Sequence, residues 1–182
     1  MQRRLEAWAT WSAYDKHCDF VPLAQISPNL QHAVVAAEDS RFYQHHGLDW
    51  SEMQQVMEQS QRRGHVTRGA STITQQLVKN LFLTTHSTWL RKVLEMPLAL
   101  LADLILPKQR ILELYLNVVE WGPGVYGAEA AARAHFGGTA AVLGREQAAR
   151  LAAILPSPRT RKPQRMNSYA KVILQRMSTM GW

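Results

Sequence analysis

Residues 33–47 read Ala-Val-Val-Ala-Ala-Glu-Asp-Ser-Arg-Phe-Tyr-Gln-His-His-Gly, so two adjacent carboxylates follow directly on an apolar run. Glu38 and Asp39 therefore stand at the end of a stretch that is expected to be buried. Burial raises the pKa of a carboxyl group and makes it a usable proton acceptor or donor near neutral pH. Sugar-transfer chemistry needs such a group, but an acidic pair at the exposed end of a helix fits these residues equally well.

The composition is that of a globular protein. The chain has 182 residues, of which 46% are apolar and 19% are charged, so a single domain over residues 1–182 with a sizeable core is expected. Cys18 is the only cysteine, which excludes an internal disulfide and a cysteine-based metal cluster. No stretch reaches about 18 apolar residues and no secretion signal is visible, so no segment is expected to span a bilayer.

The net charge of +7 is unevenly distributed. Residues 1–50 carry four basic and six acidic side chains, residues 51–110 carry eight and four, and residues 111–182 carry nine and four. The excess of positive charge in the last two thirds predicts an anionic partner there. Nucleic acid, acidic lipid headgroups and a pyrophosphate-bearing substrate all fit.

The spacing of apolar residues predicts a mainly helical chain without an alternating strand longer than about four residues. Asp49, Ser71 and Ser87 are the expected N-caps, and Pro97 is expected to bend the helix that contains it. The segment Gly64–Gly69 is predicted to be a flexible break and Gly122–Gly127 a loop. The predicted helices cover residues 30–37, 49–63, 71–83, 87–106, 108–119, 128–136, 145–155 and 168–180.

One predicted helix carries a continuous polar stripe. On a helical projection of residues 68–80 the stripe falls on one face, and apolar side chains take the other. Polar stripes usually face solvent, but those are rich in Glu and Lys, whereas this one consists of amides and hydroxyls with one lysine. Such a composition suits sugar hydroxyls and a phosphate. The stripe consists of Thr72, Gln75, Gln76, Lys79 and Asn80.

Two further helices carry charged or polar faces. Arg91, Lys92 and Glu95 share one face, where they form either a helix-stabilising salt bridge or a site in which Arg and Lys hold a pyrophosphate. The helix over residues 108–119 is apolar almost all round. Its polar stripe, Glu113, Asn117 and Glu120, is predicted to be structural, since buried polar groups need partners.

These segments, in this order, resemble the peptidoglycan glycosyltransferases, glycosyltransferase family fifty-one, from about Val21 to Ala153. Five motifs in the same order and spacing carry the resemblance. They are Glu38-Asp39-x-x-Phe42-x-x-His45-x-Gly47; Gly69-x-Ser71-Thr72-x-Thr74-Gln75-Gln76-x-x-Lys79-Asn80; Arg91-Lys92-x-x-Glu95; Lys108-x-x-Ile111-Leu112-Glu113-x-Tyr115-Leu116-Asn117; and Gly122 to Gly137 around Ala130-Ala131.

The resemblance implies a mainly α, lysozyme-like helical glycosyltransferase domain at the outer, periplasmic face of the bacterial cytoplasmic membrane. The implied substrate is lipid II, and the product is a β-1,4-linked glycan strand made with inversion at the donor anomeric carbon. Lipid II, the nascent strand, the anionic membrane surface and proteins of cell-wall synthesis or division are the implied partners. Without a penicillin-binding half the chain looks like a monofunctional member, and the family's N-terminal transmembrane helix is expected to be absent.

The resemblance also assigns roles by position. Glu38 is the implied general base, and Lys79 and Arg91 stabilise the pyrophosphate leaving group. Glu95 is the second essential carboxylate, which either orients those two cations or helps to hold a divalent cation such as Mg or Mn; no cofactor is expected to be obligatory. The remaining expected substrate-binding residues are Asp39, Phe42, His45, Ser71, Thr72, Gln75, Gln76, Asn80 and Lys92, with Asp39 more suited to holding the loop in shape.

Two rival functions stay open on the sequence. A lysozyme-like hydrolase or lytic transglycosylase would keep the fold, although it has no pyrophosphate to neutralise. A non-enzymatic basic module binding nucleic acid or membrane would rely on the loop with Arg159, Arg161, Lys162 and Arg165, which otherwise is simply solvated. His135 departs from the family pattern, which commonly has tyrosine before Phe136-Gly137.

Overall fold

The computed structural model describes residues 17–65, 69–82 and 89–182, with side chains described for 19–65, 69–82 and 93–182. Eight α-helices dominate these residues, and the expected mainly α, lysozyme-like class is confirmed. The helices are α1 Pro28–Glu38, α2 Trp50–Arg63, α3 Ile73–Phe82, α4 Trp89–Ile105, α5 Lys108–Val118, α6 Ala128–Phe136, α7 Arg145–Ala152 and α8 Asn167–Thr179. Short 3-10 helices cover Leu23–Gln25, Ala140–Val142 and Pro163–Arg165.

A small sheet corrects one sequence prediction. Strands β1 (His17–Cys18), β2 (Glu120–Gly122) and β3 (Val125–Tyr126) pair in the order β1-β3-β2, with β1 parallel and β2 antiparallel to β3. The segment 122–127, predicted to be a loop, is thus part of a hairpin. Gly124 reverses the chain with a φ of +77°, which glycine adopts without steric cost. Strands of two and three residues are too short for an alternating pattern to reveal them.

Helix α1 lies at the centre of the main hydrophobic core. It starts at Pro28, which fits the first turn because no intrahelical N–H bond is needed there. The run over residues 33–37 is buried almost completely, because α1 packs against both α7 and α8. Three alanines of α7, at 148, 149 and 152, are fully buried and allow a close approach of the helices. The end of α1, with Glu38, is therefore held rigidly at the edge of the core.

The polar stripe of α5 ties an earlier segment of the chain to the core. The Asn117 side chain exchanges two hydrogen bonds of 2.9 Å with the backbone of Val21. Glu113 Oε2 accepts a hydrogen bond of 2.8 Å from the backbone N–H of Leu23. The structural interpretation of Asn117 and Glu113 is thus confirmed, and these bonds bridge 96 and 90 residues of sequence.

Helix α3 begins one residue later than the predicted cap implies. Thr72, not Ser71, caps it: Thr72 Oγ1 accepts from the N–H of Gln75 at 3.1 Å, and Gln75 Oε1 accepts from the N–H of Thr72 at 3.0 Å. This reciprocal pair is a capping box, which needs a Glu or Gln three residues after the cap. Ser71 has Thr74 at that position and cannot form one. Helix α3 packs against α4 and α5.

Helix α4 continues through Pro97, so the proline stands inside one helix. The predicted cap at Ser87 and part of the predicted break at Gly64–Gly69 lie outside the described residues. In the part of the chain that the structure describes, none of the helices is both long enough and apolar enough to cross a membrane.

Candidate active site

A cleft of about 430 Å³ opens beside the end of α1. Glu38, the last residue of α1, is partly buried and lines this cleft. The helix ends there because Asp39 leaves the helical conformation, with φ −156° and ψ 74°. A carboxylate in this position is surrounded mostly by protein yet stays within reach of a ligand. The cleft is lined by Ala37, Glu38, Gly69, Ser71, Gln76, Pro156, Arg161 and Tyr169.

A chain of two hydrogen bonds orients the carboxylate of Glu38. Gln76 Nε2 donates to Glu38 Oε2 at 2.7 Å, and the hydroxyl of Tyr115 donates to Gln76 Oε1 at 2.9 Å. The phenol O–H donates a hydrogen bond to the amide oxygen, so the amide nitrogen faces Glu38. Burial, with the charges of Glu38 and Asp39, raises the pKa of Tyr115 well above its ordinary value. The hydroxyl therefore remains protonated and acts as a fixed donor.

Asp39, the second acid of the pair, is buried and makes its hydrogen bonds within the protein. It is only 6% exposed, and its Oδ2 accepts a hydrogen bond of 3.0 Å from the backbone N–H of Ile73. His45 Nε2 lies 3.0 Å from both of its carboxylate oxygens. Asp39 thus joins the loop after α1 to the first turn of α3, where the helix dipole favours a negative charge. These contacts support its expected role of holding the loop in shape.

Two further contacts hold the same loop, one from the start of α3 and one from α4. Thr72 Oγ1 donates to the carbonyl oxygen of Gly47 at 2.6 Å. Gly47 has a φ of +75°, and a Cβ atom there would stand 2.6 Å from the carbonyl oxygen of Ala99 in α4. Only glycine allows this approach. The loop that begins at Asp39 is therefore fastened to both α3 and α4.

Four of the residues predicted to bind substrate belong to this internal frame. Phe42 is fully buried, with Lys108 Nζ 4.7 Å from its ring centroid. His45 is 7% exposed, and its described partner is Asp39. Thr72 and Gln75 form the capping box of α3. None of the four lines the cleft, in contrast to Ser71 and Gln76.

Asp49 caps α2 close to this frame. Its Oδ1 accepts 2.9 Å hydrogen bonds from the N–H of Glu52 and from Ser51 Oγ. Burial opposes its charge, but these hydrogen bonds and the charges of Arg41 and His45 hold the pKa of Asp49 below its usual range. Asp49 is therefore a structural anion at the start of α2, as predicted from its place in the sequence.

Within the described residues, one group of side chains has the geometry of a metal site. Ligand atoms of Asp39, His45 and Asp49 lie within 4.8 Å of one another. Their oxygens already serve the loop and the α2 cap, and Glu95 does not belong to the group. The divalent cation expected near Glu95 therefore stays a prediction.

The expected cationic part of the site lies along α3 and α4. Lys79 is partly buried and stands one turn beyond Gln76, which corresponds to about 4.5 Å along the helix axis. Asn80 is exposed, and Glu95 is buried on the neighbouring helix α4 without lining the cleft. The side chains of Arg91 and Lys92 lie outside the described part of the chain, so their grouping with Lys79 stays a prediction.

Sequence reasoning missed three contributors to the site. Tyr115 belongs to the fourth motif, and it is the one hydroxyl on a helix that is otherwise largely apolar. Arg161 and Tyr169 line the cleft from beyond Ala153, the last residue of the motif resemblance. The sequence places Arg161 in a basic loop, and the combination of proline and charge there is the one local pattern that marks the segment.

Comparison with known proteins identifies the family. The family model described as Transglycosylase matches residues 5–178, nearly the whole chain, and the chain belongs to this family. A protein of Rhodospirillum centenum named biosynthetic peptidoglycan transglycosylase is 51% identical over 152 residues, which cover 84% of this chain and 65% of the relative. Relatives of the same name in Dechloromonas aromatica and Pseudomonas fluorescens are 48% and 46% identical, over 87% and 100% of this chain and 70% and 77% of their own lengths.

Proposed function

We propose that the chain is a peptidoglycan glycosyltransferase that polymerises lipid II into β-1,4-linked glycan strands and releases undecaprenyl pyrophosphate. The observation that carries the proposal is the carboxylate of Glu38 in the 430 Å³ cleft, oriented by Gln76 and Tyr115. Membership of the transglycosylase family and the names of the relatives support the substrate class.

In the proposed reaction Glu38 accepts the proton of the acceptor 4-hydroxyl on N-acetylglucosamine. The hydroxyl oxygen forms a bond to the anomeric carbon of the donor, whose bond to the pyrophosphate oxygen breaks. The electron pair leaves with undecaprenyl pyrophosphate, and attack from the opposite face inverts the anomeric centre. The amide of Gln76 binds one carboxylate oxygen of Glu38 and so orients the other to accept the proton of the acceptor hydroxyl.

The leaving group needs positive charge more than it needs an acid, because pyrophosphate is already a good leaving group. We assign this role to Lys79, Arg91 and Lys92, with Glu95 orienting them, and the positioning of sugar and phosphate to Ser71, Gln76 and Asn80. The location of Lys79 one turn from Gln76 on α3 supports the assignment. A glycosidase would instead need a second carboxylic acid close to the first.

Replacing Glu38 by Gln tests the function directly. An amide cannot accept the proton, so polymerisation of labelled lipid II on gels should fall by about a hundredfold or more. The control is Glu58→Gln, on the exposed face of α2, where the acid bonds only Gln54 among the described residues. Long strands made by Glu38→Gln would remove Glu38 from the base role. Degradation of finished glycan by wild-type protein, without extension of lipid II, would favour the hydrolase.

We further propose that no metal is obligatory for this reaction. The basic side chains assigned to the leaving group, Lys79, Arg91 and Lys92, carry enough positive charge to balance the pyrophosphate without a metal ion. The same gel assay run in EDTA tests this point. Strand synthesis that stops in EDTA and returns with Mg²⁺ or Mn²⁺ would contradict it.

We also propose that the domain works at the outer face of the bacterial cytoplasmic membrane, against anionic lipid. Helix α4 supports this with an exposed apolar stripe at helical spacing, whereas the opposite face buries Glu95 and Ala99. An exposed apolar stripe of this kind is unusual on a surface that meets only water. The stripe comprises Val93, Leu94, Leu100, Leu101, Leu104 and Ile105, and Leu81 and Phe82 at the end of α3 are exposed as well.

A further inference from the structure

The cleft beside Glu38 has a second wall that no family motif supplied. Pro156, Arg161 and Tyr169 line it, more than 100 residues further along the chain than Glu38. Helix α8 supplies Tyr169, and the next two turns on the same side of that helix anchor it in the core through Ile173 and Met177, which are fully buried. This wall is therefore part of the packed fold.

Arg161 is held in place on this wall. Its backbone N–H donates to the carbonyl of Ser157 at 3.0 Å, which closes a turn. Its Nη1 donates to the carbonyl oxygen of Ala153 at 2.9 Å, and its guanidinium carbon lies 5.7 Å from the ring centroid of Tyr169. An arginine fixed at both ends in this way loses little conformational entropy when it binds a ligand.

The charge of Arg161 is not neutralised within the described part of the chain. Nearby arginines are paired there: Arg159 Nε lies 3.5 Å from Glu120 Oε1, and Arg150 Nη2 lies 2.7 Å from Glu146 Oε1. No described carboxylate lies within 4.0 Å of the Arg161 guanidinium. A partly buried cation in a ligand-sized cleft, with one of its five donors used by Ala153, is suited to a bidentate oxyanion.

We propose that Arg161, supported by the ring of Tyr169, is a substrate-binding residue that takes an oxyanion of the substrate. This inference rests on the proposed function, because a lipid-linked disaccharide-peptide carries two sources of such a group: the pyrophosphate and the carboxylates of the peptide. Both offer two oxygens that the fork of a guanidinium can bind at once. The side chain thus adds a specificity contact to a site otherwise built by α1 and α3.

Two soluble probes separate the two sources, and neither requires polymerisation. One is the disaccharide pentapeptide without lipid or phosphate, and the other is inorganic pyrophosphate. Each is titrated calorimetrically into wild type, Arg161→Gln, Arg161→Lys and the matched control Arg159→Gln. Loss of a charge-assisted bidentate contact should weaken one probe about tenfold in Arg161→Gln and less in Arg161→Lys, and Arg159→Gln should bind like wild type.

The outcomes are distinct. Weaker binding of the pentapeptide assigns Arg161 to a peptide carboxylate, and weaker binding of pyrophosphate assigns it to the phosphate. Equal binding of both probes by wild type and Arg161→Gln, a matching loss in Arg159→Gln, or no binding by wild type would overturn the inference. Circular dichroism melting curves check that each variant is folded. Failure of wild type to extend lipid II would refute the proposed function and leave the binding result standing.

Discussion

The orientation of the Glu38 carboxylate depends on an amide that is itself oriented by a phenol. Gln76 donates to Glu38, and Tyr115 decides which end of that amide faces the acid. Asp39, one residue later, points into the frame and bonds Ile73 and His45. Two adjacent carboxylates thus have separate tasks, because the end of α1 turns them to different sides.

Tyr115→Phe tests this positioning role. Without the hydroxyl the Gln76 amide is free to rotate and to present its oxygen to Glu38, which would repel the carboxylate. We expect kcat for lipid II to fall about tenfold with little change in KM, since one hydrogen bond in the chain to a charged group is lost. The acidic limb of the pH–rate profile should also move to higher pH.

Tyr43→Phe is the control for this substitution, because Tyr43 is half exposed and lies outside the hydrogen-bond chain. A Tyr115→Phe variant that loses rate but keeps the wild-type pH profile would show that the phenol serves packing alone. Thermal melts of both variants separate a general loss of stability from the effect on the carboxylate.

At the scale of elements, the start of α3 connects the loop after α1 to the helix that carries Gln76. Its capping box at Thr72 and Gln75 orders the first turn, Asp39 accepts from the N–H of Ile73, and the threonine hydroxyl also reaches Gly47. These bonds set the direction of α3, and with it the place of Gln76 over Glu38. Thr72 and Gln75, which the sequence predicts to bind substrate, make internal hydrogen bonds here that order the start of the helix carrying Gln76.

Thr72→Ala should destabilise the fold by about 2 kcal/mol, because it removes the cap and leaves the buried carbonyl of Gly47 without its donor. Urea unfolding followed by circular dichroism measures the loss. Thr72→Ser, which keeps the hydroxyl, should recover most of it. Ser71→Ala should cost clearly less stability, and an equal loss at Ser71 would mean that the cap had been placed one residue too late.

At the scale of the whole molecule, the cleft is assembled from three remote parts of the chain: the end of α1, the start of α3 and the segment from Pro156 to Tyr169. Helix α1 packs on α7 and α8, and α3 packs on α4 and α5. The cleft thus opens where these two groups of helices meet at Glu38. The exposed apolar face of α4 belongs to the second group, so the proposed membrane contact lies in the same group of helices as Lys79.

The double substitution Leu104→Glu, Ile105→Glu tests the membrane contact. Both side chains are strongly exposed, at 83% and 67%, so the fold should tolerate the change. Binding to vesicles that contain anionic lipid, measured by co-sedimentation, should fall at least about tenfold, because two apolar side chains lose their burial in the interface. Val142→Glu, 74% exposed on the segment between α6 and α7, is the control. Equal binding by all three proteins would refute the contact.

The sequence by itself determined the helical class and the family, and it singled out Glu38 as the proposed base. Apolar spacing repeats within a few turns, and the motifs are local, so both can be read without knowing what packs where. Predicted helix limits fell within a few residues of the observed ones for the same reason. The structural role of Asn117 also followed from a local argument, since a polar residue on an apolar helix needs a partner.

Only the tertiary structure decided which polar residues meet the cleft. Periodicity places Thr72, Gln75 and Gln76 on one helix face, but it does not state what lies opposite that face; the packing directs the first two inward and Gln76 to Glu38. The hydrogen bond between Gln76 and Tyr115 spans 39 residues, and Arg161 reaches the cleft from 123 residues beyond Glu38. Such contacts depend on how helices cross, which no local pattern contains.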